Sequence, residues 1–230
     1  MDRQKTDSVR ESYDKIADAY ARHYADELQH KPLDRELLSS FAIFVKGRGE
    51  VSDLGCGPGH IARYLWNEGV HICGLDLSPR MIDQARKLNP EISFRVGNMM
   101  ALDIGDETLA GIVAFYAIVN ISESSLPTVF AEMWRVLKPG GRLLLSFHIG
   151  DEAVRPDELF GRAISMVFFF FQPSTIRRLL EEAGFAIEDV VEREPYAPEV
   201  EYQSRRAYIL ARKPELAGTT VGRYRSIEAG

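Results

Sequence analysis

The sequence predicts an α/β fold built on a doubly wound, mostly parallel seven-stranded sheet with an antiparallel last strand. Short apolar runs alternate with segments of helical periodicity from residue 50 onward, which is typical of parallel sheets with helices on both faces. A glycine-rich turn at 55–59 joins the first apolar run to the first of these helices. The last two runs, 185–193 and 204–212, have no helix between them. We therefore expect the second of them to return antiparallel.

Two amphipathic helices precede the sheet. Residues 7–28 carry apolar and aromatic side chains at steps of three and four, and residues 32–45 follow, with Pro32 near the start and Gly47 after the end. Ligands of open parallel sheets bind beyond the carboxyl ends of the strands. A helical leader over residues 1–48 is therefore well placed to close a binding site from above.

The alternating elements follow one another regularly along the rest of the chain. Strands are expected at 50–54, 71–76, 92–96, 110–116, 141–148, 185–193 and 204–212, and helices at 59–68, 79–88, 123–138 and 174–183. Residues 149–172 are too many for an ordinary turn, so they are predicted to form an inserted cap. Within them, the run 166–171 is apolar on both faces and must be covered by the core or by the cap.

The length of 230 residues fits one domain. We expect that domain to span residues 1–213 and residues 214–230 to form a poorly ordered tail.

The glycine-rich turn carries the clearest functional signal. Glycines at 55, 57 and 59 remove side chains where the backbone turns sharply and where a ligand must approach the main chain. Asp76 ends the next strand, so its carboxylate is expected across the turn from these glycines, where it can accept hydrogen bonds from both hydroxyls of a ribose. The unit therefore predicts a nucleoside site.

The spacing of the glycines indicates which kind of nucleoside binds, a dinucleotide or another. The dinucleotide fingerprint requires G-x-G-x-x-G, and a nicotinamide-dependent reductase would therefore carry glycine at position 60, where this chain has histidine. The observed G-x-G-x-G, preceded by Asp53-Leu54, resembles the first motif of class I S-adenosylmethionine-dependent methyltransferases of the small-molecule type. The resemblance implies S-adenosyl-L-methionine as cofactor and S-adenosyl-L-homocysteine as product.

Further segments extend the resemblance over residues 10–212. Val96-Gly97-Asn98-Met99 stands where the family has an acid that accepts a hydrogen bond from the adenine amino group, and the Asn98 amide oxygen can still accept one. Asn98 as a simple turn residue is the alternative. The segment 135–141, R-V-L-K-P-G-G, resembles a structural segment of the family, whereas Tyr116 opens the stretch expected under the transferable methyl group. The cofactor-binding residues that the resemblance implies are Tyr20, Asp53, Gly55, Cys56, Gly57, Gly59, Asp76, Leu77, Asn98, Met99 and Tyr116.

Two candidates concern the methyl acceptor. His148 leaves the carboxyl end of a central strand, and its neutral imidazole could accept a proton from an acceptor hydroxyl or amine near pH 7. A structural histidine at a strand end is the alternative. Arg205 or Arg206 could bind an acceptor carboxylate, although we expect both to be solvated at the edge of the strand.

Composition and missing motifs limit the partners. The formal net charge is −6 without a basic block, and no Asn/Asp-Pro-Pro-aromatic segment follows the fourth strand, which argues against DNA. The five histidines share no metal-ligand spacing, so no metal is expected. Both cysteines are expected to be reduced, no segment reaches transmembrane length, and we expect a cytoplasmic monomer or homodimer.

The sequence thus favours a methyltransferase that acts on an oxygen, nitrogen or carbon nucleophile of a small molecule. A non-catalytic module that binds S-adenosylmethionine, or a methyltransferase acting on protein or RNA, stays open as the alternative. The regions that select the acceptor, the loops and the cap, carry no motif that identifies it.

Overall fold

The computed structural model describes residues 3–215, so residues 216–230 of the expected tail lie outside the described part. The helices are α1 Arg3–Tyr24, α2 Pro32–Val45, α3 His60–Asn67, α4 Pro79–Leu88, α5 Leu126–Val136 and α6 Pro173–Glu182. The first five strands are β1 Val51–Leu54, β2 Ile72–Asp76, β3 Ser93–Val96, β4 Leu109–Phe115 and β5 Leu137–His148. The remaining strands are β6 Ala153–Val154, β7 Glu158–Leu159, β8 Arg162–Ala163, β9 Phe168–Phe169, β10 Ala186–Arg193 and β11 Arg206–Arg212.

The central sheet confirms the predicted fold class. Its seven strands lie in the order β10-β11-β5-β4-β1-β2-β3, and the strands from β1 to β5 pair in parallel. Strand β11 runs antiparallel to both of its neighbours, β5 and β10, as the missing helix before it predicted. This arrangement places the first residue of β11 beside the last residue of β5.

Both faces of the sheet are covered. One core cluster includes Phe130 of α5 and Leu180 of α6, and the other includes Phe41 of α2 and Leu65 of α3. All four side chains are at most 1% exposed, and each such burial contributes about 1.5–3 kcal/mol relative to an exposed side chain. A sheet buried on both faces needs near-continuous apolar strands, and all seven residues of β4 are buried.

Helices α2 and α4 have the predicted bounds, and most other elements differ from theirs by one or two residues, but larger differences occur in α1, α5 and β5. Helix α1 ends at Tyr24, before the predicted 28, and a 3₁₀ turn at Glu27–His30 leads to Pro32. The expected helix 123–138 is a 3₁₀ turn followed by α5, which starts at Leu126 because Pro127 suits the first turn of a helix. Strand β5 begins at residue 137, not 141, because residues 138–141 form an irregularity opposite Leu109 and Gly111.

Residues 149–172 contain two short ribbons, β6 with β9 and β7 with β8. The apolar run 166–171 is divided between two environments: Phe171 belongs to the core beneath α5 and α6, and Met166 packs with Ile16 of α1 and Met81 of α4. The run is therefore covered by the core at one end and by the leader at the other.

None of the helices within residues 3–215 combines the length and the hydrophobicity needed to cross a bilayer.

Candidate active site

The glycine-rich turn lies at the carboxyl end of β1, as the sequence predicted. Gly55, Gly57 and Gly59 all have positive φ, at +74°, +50° and +84°. The Gly55 amide donates to the Leu75 carbonyl over 2.7 Å, and the Gly57 amide donates to Oδ2 of Asp76 over 2.9 Å. The turn is therefore held against the end of β2, and Asp76 lies directly across from it.

The three glycines are required for different reasons. A Cβ atom at Gly55 would lie 2.6 Å from Cβ of Ala117, and one at Gly59 would lie 2.8 Å from the Phe94 ring. These two positions pack against the protein itself. At Gly57 the nearest atom would be Cε1 of Tyr20 at 3.7 Å, an ordinary contact distance. Gly57 is thus the member of the three with space above its backbone.

Asp76 can accept further hydrogen bonds. Besides the Gly57 amide, it accepts the Ser78 amide at Oδ1 over 2.8 Å. Each carboxylate oxygen has a second lone pair, so two more donors can be accommodated. Burial raises the pKa of Asp76, although hydrogen bonds from the Ser78 and Gly57 amides oppose that rise. A pair of neighbouring hydroxyl groups would supply the missing donors.

Asp53 provides an unsatisfied acceptor below the turn. Its side chain is 1% exposed, and Oδ2 has no hydrogen-bond partner among the described residues. Burial raises the pKa of Asp53 to about 7; the Asp76 carboxylate also raises it, while His60 lowers it. An unpaired buried carboxylate oxygen is costly, so this position fits a ligand that brings a donor or a positive charge.

His60 has a role that the sequence did not reveal. Its Nε2 lies 2.5 Å from Oε1 of Glu27, in the turn after α1, and its Nδ1 is buried without a partner among the described residues. From the sequence, His60 was interpreted only as evidence against a dinucleotide site. The structure shows that it ties the first residue of α3 to the leader.

Asn98 and Met99 lie beside the turn. Oδ1 of Asn98 accepts the Met100 amide over 2.9 Å, which is the geometry of a side-chain-stabilised turn. The same oxygen has one further lone pair to offer. The methyl group of Met99 would lie 3.4 Å from a Cβ at Gly55, so this side chain borders the glycine turn.

The leader covers the turn. Tyr20 packs on Tyr24 at 4.3 Å between ring centres, with the rings tilted by 45°, and it meets Phe160 of the 149–172 segment edge-to-face at 6.2 Å. Asp14 accepts the Ser78 hydroxyl over 2.6 Å and the Arg80 amide over 3.1 Å, so α1 is fixed to the start of α4.

Tyr116 and His148 face each other at the ends of β4 and β5. Tyr116 adopts φ +51°, its amide donates to Oγ of Ser146 over 3.0 Å, and its ring centre lies 5.3 Å from that of His148. Nδ1 of His148 lies 2.7 Å from Oγ of Ser204. Burial, with Arg206 and other cations, lowers the pKa of His148 to about 3, so the ring is neutral at pH 7.

A buried polar cluster adjoins these rings, and the expectation that Arg206 is solvated was wrong. Arg206 is 2% exposed, because β11 lies between β10 and β5 and the side chain packs against Tyr116 and Glu201. Arg205 is half exposed and pairs with Glu192 and Glu194, as expected of a strand-edge residue. The other members of the cluster are Glu27, Lys31, Asp34, Arg193, Glu201 and Tyr208.

Residues 51–141 of the chain match the protein family described as a methyltransferase domain. This segment therefore carries a methyltransferase domain, in agreement with the predicted resemblance to class I S-adenosylmethionine-dependent methyltransferases. The matched segment runs from the first residue of β1 into β5 and contains the glycine turn, Asp76 and Asn98.

Two relatives illustrate the similarity to named methyltransferases. A malonyl-[acyl-carrier protein] O-methyltransferase of Erwinia billingiae is 34% identical over 134 residues, which cover 57% of this chain and 52% of the relative. An arsenite methyltransferase of Halobacterium salinarum is 30% identical over 167 residues, covering 67% of this chain and 41% of the relative. The chain thus spans about half of the length of such relatives, or less.

The fold recurs in solved structures. The [4+2]-cyclase SpnF superposes with a TM-score of 0.73 over 91% of this chain and 97% of its own, at 19% identity. At this identity the similarity concerns the fold alone.

Within this methyltransferase domain, the structure brings most of the predicted cofactor residues to one end of the sheet. Cys56 and Gly59 are buried supports of the turn, and Leu77 directly follows Asp76 at the end of β2. Tyr116 lies farther along the edge, next to His148. Within the described residues, no group of three His, Cys, Asp or Glu side chains is placed to hold a metal ion.

Proposed function

We propose that this chain transfers a methyl group from S-adenosylmethionine to a small-molecule acceptor. The observation that carries the proposal is the pair of carboxylates at one glycine turn: Asp76 beside the turn with lone pairs to spare, and Asp53 below it with a buried oxygen that lacks a partner. The first suits a ribose diol and the second suits the ammonium of an amino acid. S-adenosylmethionine carries both groups.

The remaining predicted residues complete this assignment. Gly57 would let the cofactor approach the main chain, Gly55 would allow the turn to pack closely on Ala117, and Tyr20 would cover the turn from the leader. Asn98 would accept a hydrogen bond from the adenine amino group with its second lone pair, and Met99 would pack beside the ring. Cys56, Gly59 and Leu77 would shape the turn, and Tyr116 would border the methyl group.

When bound, the cofactor supplies a sulfonium methyl group that is already activated for displacement. The protein therefore needs to orient the acceptor and to exclude water. Orientation can contribute several kcal/mol, up to about 7–11 in the most favourable intramolecular cases. Tyr20 and Phe160 contact each other where the leader meets residues 149–172, so the two segments together would keep water from the turn.

His148 would act on the acceptor rather than on the cofactor. Its depressed pKa keeps the ring neutral, and Ser204 holds Nδ1, so Nε2 is the nitrogen left for an acceptor group. We propose that it orients the acceptor by a hydrogen bond, because an imidazole with a pKa of about 3 is too weak a base to contribute much as a proton acceptor near pH 7.

The acceptor is proposed to be a small molecule methylated at oxygen, nitrogen or carbon. The names of the relatives refer to an acyl carrier protein-bound malonyl group and to arsenite, for those proteins. The net charge of −6 and the aromatic cap support a small, partly apolar acceptor rather than DNA. We further propose a cytoplasmic protein that is a monomer or a homodimer.

Calorimetry with S-adenosylhomocysteine, S-adenosylmethionine and NADH tests the cofactor assignment. We expect binding of the first two in the micromolar range or tighter and none of NADH. Release of S-adenosylhomocysteine on incubation with a metabolite extract then distinguishes an enzyme from a binding module. Failure to bind either sulfur nucleoside at millimolar concentration would contradict the proposal.

A further inference from the structure

Arg206 is the largest side chain that the structure buries completely within residues 3–215, and it is incompletely satisfied. Nη2 donates to the Tyr202 carbonyl over 2.7 Å, and Nη1 donates to the carbonyl and hydroxyl oxygens of Ser204. Nε has no acceptor among the described residues. The guanidinium group is always charged, and a buried charged donor without an acceptor is strongly disfavoured. An acceptor from outside the chain would remove this defect.

The position of Arg206 points to the methyl acceptor. It is the first residue of β11 and pairs with His148, the last residue of β5. Its guanidinium carbon lies 5.6 Å from the centre of the Tyr116 ring. Tyr116 and His148 end the parallel strands β4 and β5, and ligands of such sheets bind beyond these ends. Arg206 therefore borders the space in which the acceptor is proposed to react.

The acids around Arg206 are unevenly shared among the cations. Glu201 is its nearest acid, at 3.6 Å from Nη2, and the same carboxylate also serves Arg193 and Lys31. Lys31 has a second acid, Glu27 at 2.6 Å, and Arg193 has a second acid, Asp34 at 3.3 Å. Arg206 alone among these three cations shares its single acid with the other two. The cluster is balanced in charge, so what Arg206 lacks is an acceptor for its Nε–H group.

Aromatic side chains lead from the surface to this position. Phe170 stacks on His148 at 4.9 Å with an angle of 17° between the rings, and Tyr202 presents its edge to both at 6.1 Å. Tyr202 is 61% exposed, so the aromatic group reaches solvent. Such walls favour a ligand with a flat or apolar body.

We propose that Arg206 binds a carboxylate of the methyl acceptor, which makes the substrate a small organic acid with a flat or apolar body. This inference rests on the proposed function. A single free N–H group in a cluster whose charges are already balanced fits a carboxylate, which carries one charge, better than a phosphate dianion. Guanidinium groups bind carboxylates through short, charge-assisted hydrogen bonds. The carboxylate anchors the acceptor, and the methylated atom is carried elsewhere on the same molecule.

The test compares acids with their neutral amides on the full chain saturated with S-adenosylhomocysteine. The probes are benzoate with benzamide, phenylacetate with phenylacetamide, and acetate with acetamide, measured by ligand-observed NMR. We expect at least one acid to bind about tenfold more tightly than its amide. Equal affinity within all three pairs overturns the proposal.

Variants then assign the preference to Arg206. Arg206→Gln is expected to remove the preference for the acid, whereas Arg205→Gln, one residue away and half exposed, is expected to retain it. Arg206→Lys keeps the buried positive charge and therefore serves as a second variant in case Arg206→Gln does not fold. It should weaken acid binding by about tenfold, because an ammonium group cannot reproduce the Nε donor. An undiminished preference in Arg206→Lys, or an equal loss in Arg205→Gln, would also overturn the proposal.

Binding of S-adenosylhomocysteine distinguishes failure of the inference about Arg206 from failure of the proposed function. Each variant is expected to bind it as the unmodified chain does, which also reports correct folding. If the unmodified chain binds this nucleoside but no acid is preferred, the inference about Arg206 fails and the proposed function stands. If the nucleoside does not bind, the proposed function fails and this inference fails with it.

Discussion

Tyr13 donates a hydrogen bond to Oδ1 of Asn120 over 2.7 Å, and through this contact the leader helix is tied to the segment that follows β4. Nδ2 of Asn120 donates in turn to the Val167 carbonyl over 2.8 Å. A single amide side chain therefore connects α1 with the 149–172 segment. The leader and the cap are fastened to each other above the glycine turn.

Tyr13→Phe is expected to loosen this closure. The substitution leaves Oδ1 of Asn120 without its donor, which costs about 1 kcal/mol, and amide hydrogens of α1 should exchange faster with deuterium. Tyr202→Phe, at an exposed position, serves as the control and should leave the exchange of α1 unchanged. Unaltered exchange in Tyr13→Phe would show that this bond does not hold the leader.

Asp76→Ala is expected to weaken binding of S-adenosylhomocysteine by at least about 100-fold. The variant loses the proposed hydrogen bonds from the ribose, each to a charged acceptor and each worth about 1.5–3 kcal/mol. Asp83→Ala, at an exposed position of α4, is the matched control. Calorimetry that gives the same affinity for Asp76→Ala and the unmodified chain would refute the ribose assignment.

Binding of the cofactor is expected to depend on pH through Asp53. Burial raises the pKa of Asp53 to about 7, with the Asp76 carboxylate and His60 as the other charged groups acting on it. An ammonium prefers the ionised carboxylate, so affinity for S-adenosylhomocysteine should rise with pH and fall about fivefold from pH 7 to pH 6. Asp53→Asn should bind more weakly and lose this part of the pH dependence. An identical slope in the variant would assign it to another group.

The pKa of His148 can be checked directly. Burial and the nearby cations lower it to about 3, so its ring should stay neutral at every pH from 5 to 8. In NMR spectra, the ring proton signal that disappears in His148→Gln should not shift over this range. A midpoint between pH 5 and 7 would show that the ring is more solvated than the structure indicates.

Gly55 and Gly47 form a matched pair for stability. Both have nearly the same φ, +74° and +75°, but a Cβ at Gly55 would lie 2.6 Å from Cβ of Ala117, whereas a Cβ at Gly47 would meet nothing within 4 Å. Gly47→Ala should cost about 1 kcal/mol from backbone strain, and Gly55→Ala about 1–3 kcal/mol more from the clash. Urea denaturation measures both losses. Equal losses would mean that the site accommodates the added methyl group.

The predictable and unpredictable parts of this protein differ in physical origin. The succession of strands and helices along the chain and the placement of Asp76 follow from local patterns, since an apolar strand, a glycine turn and an acid at the next strand end fix their own geometry. The environment of Arg206 does not, because its burial depends on β11 inserting beside β5, a contact between residues far apart in the chain. The bond between His60 and Glu27 is non-local in the same way.

The environment of the cap residues 166–171 could not be predicted from sequence patterns. The run 166–171 is apolar throughout, and the sequence established only that it must be covered. Met166 and Phe171 enter separate clusters because the chain crosses from the leader to the main core between them. No periodicity encodes such a crossing.

The position of β11 has a consequence for protein engineering. The proposed cofactor residues of the sheet lie between residues 53 and 116, whereas Phe170, Tyr202 and Arg206 come from later in the chain, and Arg206 reaches His148 only because β11 returns beside β5. Libraries restricted to Phe170, Tyr202 and Arg206 should therefore alter which molecules are accepted while the proposed nucleoside residues stay unchanged. The chain offers a scaffold in which selectivity can be rewritten separately from the methyl donor.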